Sequence, residues 1–252
     1  LGILDHFALT DRVAIVTGAS SGLGVHAAVG LAEAGADLVL VARRAERLEQ
    51  TREQVEATGR RCTTVVGDVA DPDTATRTVE AATDAFGRVD VLLNNAGIGT
   101  AVPATRETPE QFRQVIDVNL EGSYWMAQAC GRVMQPGSSI INVSSVLGFM
   151  SAGLPQAAYA SSKAAIVGLT RDLAAQWTGR KGIRVNAIAP GFFATEMTEQ
   201  YPEGYLETVL ARVPAGRMGR PEEFVATVVF LASEAGGYVT GTTLPVDGGA
   251  LT

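Results

Sequence analysis

Tyr159 and Lys163, in the stretch YASSK, carry the side chains of this chain best suited to moving a proton, and Lys163 is one of only two lysines among 252 residues. Four positions make about one turn of an α-helix, so on a helix the phenol and the ammonium share a face. A cation beside a phenol is expected to lower its pKa, which makes Tyr159 a proton donor and acceptor in the role histidine usually fills. The two histidines, His6 and His26, lie far upstream and belong to no recognisable triad. A Tyr and a Lys on a surface helix would give the same four letters by coincidence, so the pair takes its meaning from what surrounds it.

The first such neighbour is TGASSGLG (17–24), which follows a β-branched run and opens a helical pattern. Gly18, Gly22 and Gly24 let a backbone turn sharply and approach a pyrophosphate, whose charge the following helix N-terminus favours; Ser20, Ser21 and Leu23 complete the loop. At the end of the next run, where a carboxylate would bind a ribose 2′-hydroxyl, stand Ala42, Arg43 and Arg44. A guanidinium suits a 2′-phosphate, so NADP(H) is the favoured cofactor, with Arg43 the nearer contact and NAD(H) the alternative. The two arginines would also serve simply to begin a solvated helix. Asp68 and Val69 follow the third run, as adenine contacts or as an Asx turn before Pro72. In NNAG (94–97), Asn94 is expected to tie strand ends together, while Asn95, Ala96 and Gly97 let a ribose approach; turn chemistry alone would also account for them.

The elements that must position these groups read as an α/β protein. The runs 13–17, 37–42, 62–66, 89–94, 139–144, 183–189 and 242–246 alternate with helical patterns at 22–34, 44–58, 72–86, 109–134, 156–179 and 221–233. That alternation implies one doubly wound domain over residues 1–252, a parallel sheet covered on both faces. The least regular stretch, 191–219, is expected to be a substrate lid. A net charge of −7 with dispersed arginines disfavours nucleic acid and anionic membranes as partners. Cys62 and Cys130 offer no metal or disulfide spacing, so no metal is expected. No apolar run is long enough to span a membrane and the first residues lack a signal-peptide pattern, so a cytoplasmic location is expected.

Together these motifs resemble the short-chain dehydrogenase/reductase family over essentially the whole chain: TGASSGLG its TGxxxGxG loop, NNAG its fourth-strand motif and YASSK its YxxxK. Within the family the sequence is similar to 3-oxoacyl-acyl carrier protein reductases and, in FALTDRVAIVTGASSGLG, to gluconate 5-dehydrogenase-like members. The resemblance implies a Rossmann-type, seven-stranded parallel sheet and a homotetramer. It adds Asn119 in DVNLEG and Ser145 in INVSS to Tyr159 and Lys163 as the catalytic set, and Pro190, Gly191 and Thr195 as a nicotinamide loop. In that scheme Ser145 holds the substrate oxygen, Lys163 holds the nicotinamide ribose and tunes Tyr159, and Asn119 supports a proton relay through water. Asn119 could instead be a packed helix residue, and Thr195 an N-cap. Ser145 stands fourteen positions before Tyr159, one more than in many relatives, which leaves Ser144 as the alternative hydroxyl.

The implied reaction is hydride transfer between NADP(H) and a ketone or secondary alcohol. For substrate contacts the sequence offers Ser145, Leu147, Leu154, Gln156, Tyr159, Phe192, Phe193 and Tyr205, with Phe149, Met150, Met197, Tyr201 and Leu206 nearby. Most are apolar, favouring a hydrophobic ketone or 3-oxoacyl group over a sugar acid or polyol, for which only Gln156 and Arg212 are evident partners. The reading from another class is a dinucleotide-binding regulator without catalysis.

Overall fold

The computed structural model describes residues 2–196, 198 and 201–252. Seven short runs rich in Val, Ile, Leu and Thr form the strands: β1 (Val13–Thr17), β2 (Asp37–Ala42), β3 (Cys62–Val66), β4 (Val91–Asn94), β5 (Ser139–Val143), β6 (Arg184–Pro190) and β7 (Thr243–Val246). They pair in the order β3-β2-β1-β4-β5-β6-β7, every pairing parallel. Among the strands, β1, β2, β4 and β6 are buried at every position, as a sheet covered on both faces requires.

The alternation of side chains along each strand sorts the core into two layers. Ala14 and Val16 of β1, with Leu38 and Leu40 of β2, pack toward α1 (Gly22–Glu33), α2 (Ala45–Glu56) and α8 (Pro221–Ala232) through Leu31, Leu48, Phe224 and Val228. Val13, Ile15, Val39 and Val41 face the other way, toward α3 (Pro72–Phe86), α5 (Gly122–Val133) and α6 (Ala157–Lys181), meeting Val79, Met126 and Leu173. The protein is thus a Rossmann-type, doubly wound α/β fold.

Two segments depart from the sequence expectation. The helix expected over 109–134 is interrupted: α4 (Pro109–Ile116) runs into a π-helical turn at Asp117–Glu121 before α5 begins. Apolar periodicity carries through that turn, but Asn119 is drawn inward by the loop after β4, which widens the helix locally. The lid stretch is not wholly irregular either, since α7 (Tyr205–Leu210) forms behind Gly204, a left-handed residue. Among the described residues no helix is long and apolar enough to cross a membrane.

Because every strand is parallel, their N-terminal ends gather at one edge, where two buried carboxylates pair with more exposed arginines. Asp37 accepts from the Arg61 backbone N–H at 3.1 Å and from its guanidinium at 2.6 and 2.9 Å, with Arg60 at 2.8 Å. Asp90 accepts from Val13 N at 2.9 Å and from Arg88 and Arg12. Burial alone would raise the Asp37 pKa, but the hydrogen bonds from Arg61 and the two positive charges hold it below its ordinary value. A depressed carboxylate contributes stability that is present above its unfolded pKa and lost as pH falls through the folded one. Asp37→Asn is therefore expected to lower stability by roughly 2 kcal/mol at neutral pH, with the gap from wild type closing as pH falls below the ordinary carboxylate range. Urea unfolding at pH 7 and in acid checks this; a gap independent of pH would assign the loss to packing.

Candidate active site

The C-terminal ends of the strands gather at the opposite edge, and between β1 and β4 the strand order reverses, which opens a crevice there. A cleft of about 500 Å³ occupies it, walled by Gly18, Ser20, Ser21, Gly22, Leu23, Arg43, Arg44, Asp68, Val69, Asn95, Ala96, Gly97, Ser145, Tyr159, Lys163, Pro190, Gly191 and Thr195. Groups more than a hundred residues apart in sequence therefore share one wall.

The loop after β1 is shaped for close approach. Gly18 and Gly22 take φ of 66° and 54°, and a Cβ on Gly18 would lie 2.8 Å from Ala96 Cα. Gly24 does not reach the cleft; a Cβ there would lie 2.4 Å from Gly18 O, so it permits the first turn of α1 to pack on the loop. The Asn95 amide holds the loop from the side, donating to Thr17 O at 3.0 Å and Gly18 O at 3.4 Å, while Thr17 Oγ1 accepts from Asn95 N and Ala96 N. Asn94 ties β4 to its neighbours, donating to Asn142 Oδ1 and Ser123 O at 2.9 Å each. This cradle fits a dinucleotide: bare backbone at a helix N-terminus for the pyrophosphate, with cations farther along the groove.

Those cations are already paired. Arg43 reaches Asp68 at 3.4 Å, while Asp68 also accepts from Ala70 N at 3.1 Å in an Asx turn. Arg44 lies over the loop, 3.3 Å from Ser20 Oγ and 3.4 Å from Ser20 O, and reaches Glu196 Oε2 at 3.1 Å. Arg47 donates to the other oxygen of Glu196. Desolvation would raise the Glu196 pKa, but hydrogen bonds from Arg44 and Arg47 bring it below its ordinary value. Glu196 was not among the sequence candidates; its only signal is that it follows Thr195, and the pairing joins residues 149 and 152 positions apart.

At the other end of the cleft, β5 and α6 bring the reactive side chains together. Ser145 is extended, φ −167°, its Oγ accepts from Leu147 N at 3.1 Å, and its hydroxyl acts to lower the Tyr159 pKa. The neighbouring Ser144 hydroxyl donates instead to Lys163 O at 2.7 Å and is buried. Asn119 lies beneath the cleft, fully buried. Its Nδ2 donates to Ile98 O at 2.9 Å and Ser162 Oγ at 3.0 Å, and its Oδ1 accepts from Ile98 N at 2.8 Å. A Cβ on Gly97 would lie 3.3 Å from Lys163 Nζ and 3.4 Å from Asn119 Oδ1, so the bare Gly97 sits over both groups.

The electrostatics reverse the sequence expectation for Tyr159. Burial pushes its pKa up to about 12, opposed by the Ser145 side chain, and burial brings Lys163 down to about 8. The reason is geometric. Lys163 Nζ donates to Val143 O at 2.7 Å and stands over the face of the Tyr159 ring, 5.6 Å from its centroid, so the ammonium is directed to the strand end while the phenol loses solvent.

The substrate candidates divide. Leu147, Phe192 and Phe193 line the cleft beside Ser145 and Tyr159, and Tyr201 joins them. Leu154, Gln156 and Tyr205 do not. Tyr205 turns its hydroxyl to Ala152 O at 2.9 Å and packs edge-on against Tyr201, ring centroids 5.1 Å apart, so it braces the wall rather than forming it. Gln156, buried before α6, acts to lower the Tyr201 pKa against the effect of burial, and Leu154 is half-buried in the preceding loop. Phe149, Arg212 and Leu206 also lie off the cleft, the first two exposed, while Met150 packs behind Tyr159. Met197 lies outside the described residues. No group of three or more metal-ligating side chains occurs among the described residues.

With that geometry in place, comparison with known proteins is specific. A family model described as enoyl-(acyl carrier protein) reductase matches residues 18–251. The chain is 41% identical to 2-dehydro-3-deoxy-D-gluconate 5-dehydrogenase of Dickeya dadantii, with 99% of each chain covered. It is 41% identical to a 3-oxoacyl-acyl-carrier-protein reductase of Thermotoga maritima, covering 96% of this chain and 98% of that one. The crystal structure of a gluconate 5-dehydrogenase from Burkholderia cenocepacia, in complex with NADP and tartrate, matches with a TM-score of 0.93 and 35% identity over 99% of both chains.

The buried ammonium carries a stability cost that can be measured. A lysine whose folded pKa falls from 10.5 to about 8 opposes folding at neutral pH, and the opposition fades between those values, where the unfolded chain holds a proton that the folded one has released. Lys163→Met is expected to raise the melting temperature of the ligand-free protein by a few degrees at pH 7, with the advantage shrinking toward pH 10.5. A variant that melts below wild type at every pH would show that the bond to Val143 outweighs the desolvation.

Proposed function

The chain belongs to the short-chain dehydrogenase/reductase family, an oxidoreductase acting on CH–OH and C=O groups, and we propose that it reduces a hydrophobic ketone or 3-oxoacyl substrate with NADPH. The observation that carries this reading is the convergence of Ser145, Tyr159 and the buried ammonium of Lys163 on one wall, at the end of a cleft whose other end is glycine-rich and cationic.

NADP(H), when bound, supplies or takes up the hydride at the carbonyl carbon. Ser145 donates a hydrogen bond to the carbonyl oxygen, where negative charge develops as the C–H bond forms. Tyr159 transfers its phenolic proton to that oxygen, which completes the alcohol and leaves a phenolate. A phenol raised to about 12 is fully protonated at neutral pH, the form that reduction needs. Lys163 then has two tasks, holding the nicotinamide ribose and stabilising the phenolate until a proton returns through water near Asn119. Arg43 and Arg44 hold the 2′-phosphate, Asp68 and Val69 the adenine, and Asn95, Ala96 and Gly97 the adenosine ribose; Pro190, Gly191 and Thr195 hold the nicotinamide. One domain, residues 1–252, serves both halves, with 191–219 as the lid.

Two observations bear on the substrate. Among the described residues walling the cleft, the cations are Arg43, Arg44 and Lys163, so its substrate end, formed by Leu147, Phe192, Phe193 and Tyr201, offers no positive charge for a carboxylate beyond the catalytic lysine. The relative named for a dehydrogenase of a sugar acid supports the second reading, a gluconate 5-dehydrogenase-like activity. The proposal includes a homotetramer, as the family resemblance implies, and a cytoplasmic location.

Oxidation of NADPH against a panel of cyclic ketones, 3-oxoacyl thioesters and keto-sugar acids tests the reading. Tyr159→Phe is expected to lower turnover by at least about a thousandfold while leaving the dissociation constant for NADPH within a few-fold. Substantial residual turnover would remove the phenol from the proton step. Tight cofactor binding by a wild type inactive on the whole panel would favour the non-catalytic regulator.

A further inference from the structure

The carboxylate of Glu196 lines the same cleft as Arg43 and Arg44, yet none of the roles above uses it. It comes from the stretch after β6 and crosses to the N-terminal end of α2, where Arg44 and Arg47 each take one of its oxygens. The preceding residue crosses too: a Cβ on Gly22 would lie 3.3 Å from the Thr195 methyl. Residues 195 and 196 thus lie against both the glycine loop and the arginines.

The two arginines that follow β2 differ in how they are neutralised. Asp68, the partner of Arg43, is anchored next to a strand end by its own Asx turn. Glu196, the partner of Arg44, belongs to the segment that must admit a ligand, and its carboxylate uses the N–H donors of a guanidinium that also touches Ser20 of the phosphate-binding loop. A carboxylate and a phosphate are alternative partners for one guanidinium fork, and side by side they repel. A ligand without a 2′-phosphate sets up no such competition.

We propose that Glu196 is a cofactor-specificity residue: its carboxylate competes with the 2′-phosphate of NADP(H) for Arg44, so that it restrains binding of the phosphorylated dinucleotide while scarcely affecting NAD(H), and Arg47 receives it when Arg44 is taken. This rests on the dinucleotide reading of the cleft. In consequence the chain holds less preference for NADP(H) than its arginines alone would confer, and loading with the phosphorylated cofactor frees the segment carrying Thr195 from Arg44.

Calorimetric titration of the full chain with NADPH, NADH, adenosine 2′,5′-bisphosphate and adenosine 5′-monophosphate tests this at low and physiological salt. Glu196→Gln is expected to tighten NADPH and the bisphosphate by about tenfold at low salt, less at high salt, and to move NADH and the monophosphate by no more than about twofold. In an Arg44→Met background the same substitution should leave the NADPH-to-NADH ratio unchanged. Equal shifts for all four ligands would mean that the substitution merely loosens the lid, and an unmoved or reversed ratio would also overturn the role of Glu196. Wild type that binds neither dinucleotide would overturn the cofactor reading itself, an outcome distinct from binding with an unmoved ratio.

Discussion

A single buried cation organises the functional end of this molecule. Lys163 is 4% exposed, and among the described residues it pairs with no carboxylate; the Val143 carbonyl at the end of β5 is its hydrogen-bond acceptor. Placing an ammonium there is costly. The fold tolerates the cost because a parallel sheet gathers strand-end carbonyls around one crevice, and the Val143 carbonyl gives the cation partial negative charge without a full counter-ion. A carboxylate beside Lys163 would neutralise the ammonium charge.

Around this cation the polar groups form a chain rather than a set of separate contacts. Tyr159 O accepts from Ser162 Oγ, which accepts from Asn119 Nδ2; Asn119 O accepts from Ser123 Oγ, and Ser123 O accepts from Asn94 Nδ2. Asn94 then donates to Asn142 Oδ1, and Asn142 to Thr170 on the same helix as Tyr159 and Lys163. Helix α6 is thereby held at two points along its length by β4, β5 and the π-helical turn. Polar networks of this kind favour a unique arrangement because any displaced member leaves a buried group without its partner.

Much of the fold could be read from the sequence because local composition and global topology agree. Each strand run is short, β-branched and flanked by turn residues, and the glycines of TGASSGLG lie where a strand meets a helix. The seven strands follow the expected runs to within two residues at either end, the largest change being at 89–94, where Val89 and Asp90 precede the strand. What escaped depends on direction and distance. Proximity of Tyr159 to Lys163 followed from helical spacing, but the sign of the pKa shift depends on where the ammonium points and how far water is excluded. Gln156, Leu154 and Tyr205 are candidates by sequence, yet none of them lines the cleft, and Tyr205 packs against Tyr201 behind it. The pairing of Glu196 with Arg44 and Arg47 brings together segments that no local pattern connects.

The wide turn at Asp117–Glu121 acts on the long helical segment as an inserted beat does on a rhythm. The Gly122 N–H bonds back to Asp117 O, five residues earlier, so one residue is spent without advancing the α-helical phase. Everything before it, α4, is clocked to one neighbour, and everything after it, α5, to another, with Asn119 at the offset. The two halves can be indexed independently to different surfaces while remaining one continuous rod. Length across this junction is consequently a hidden variable of the protein: side chains there can be exchanged with their usual penalties, whereas adding or removing a single residue re-aims an entire half-helix relative to the sheet.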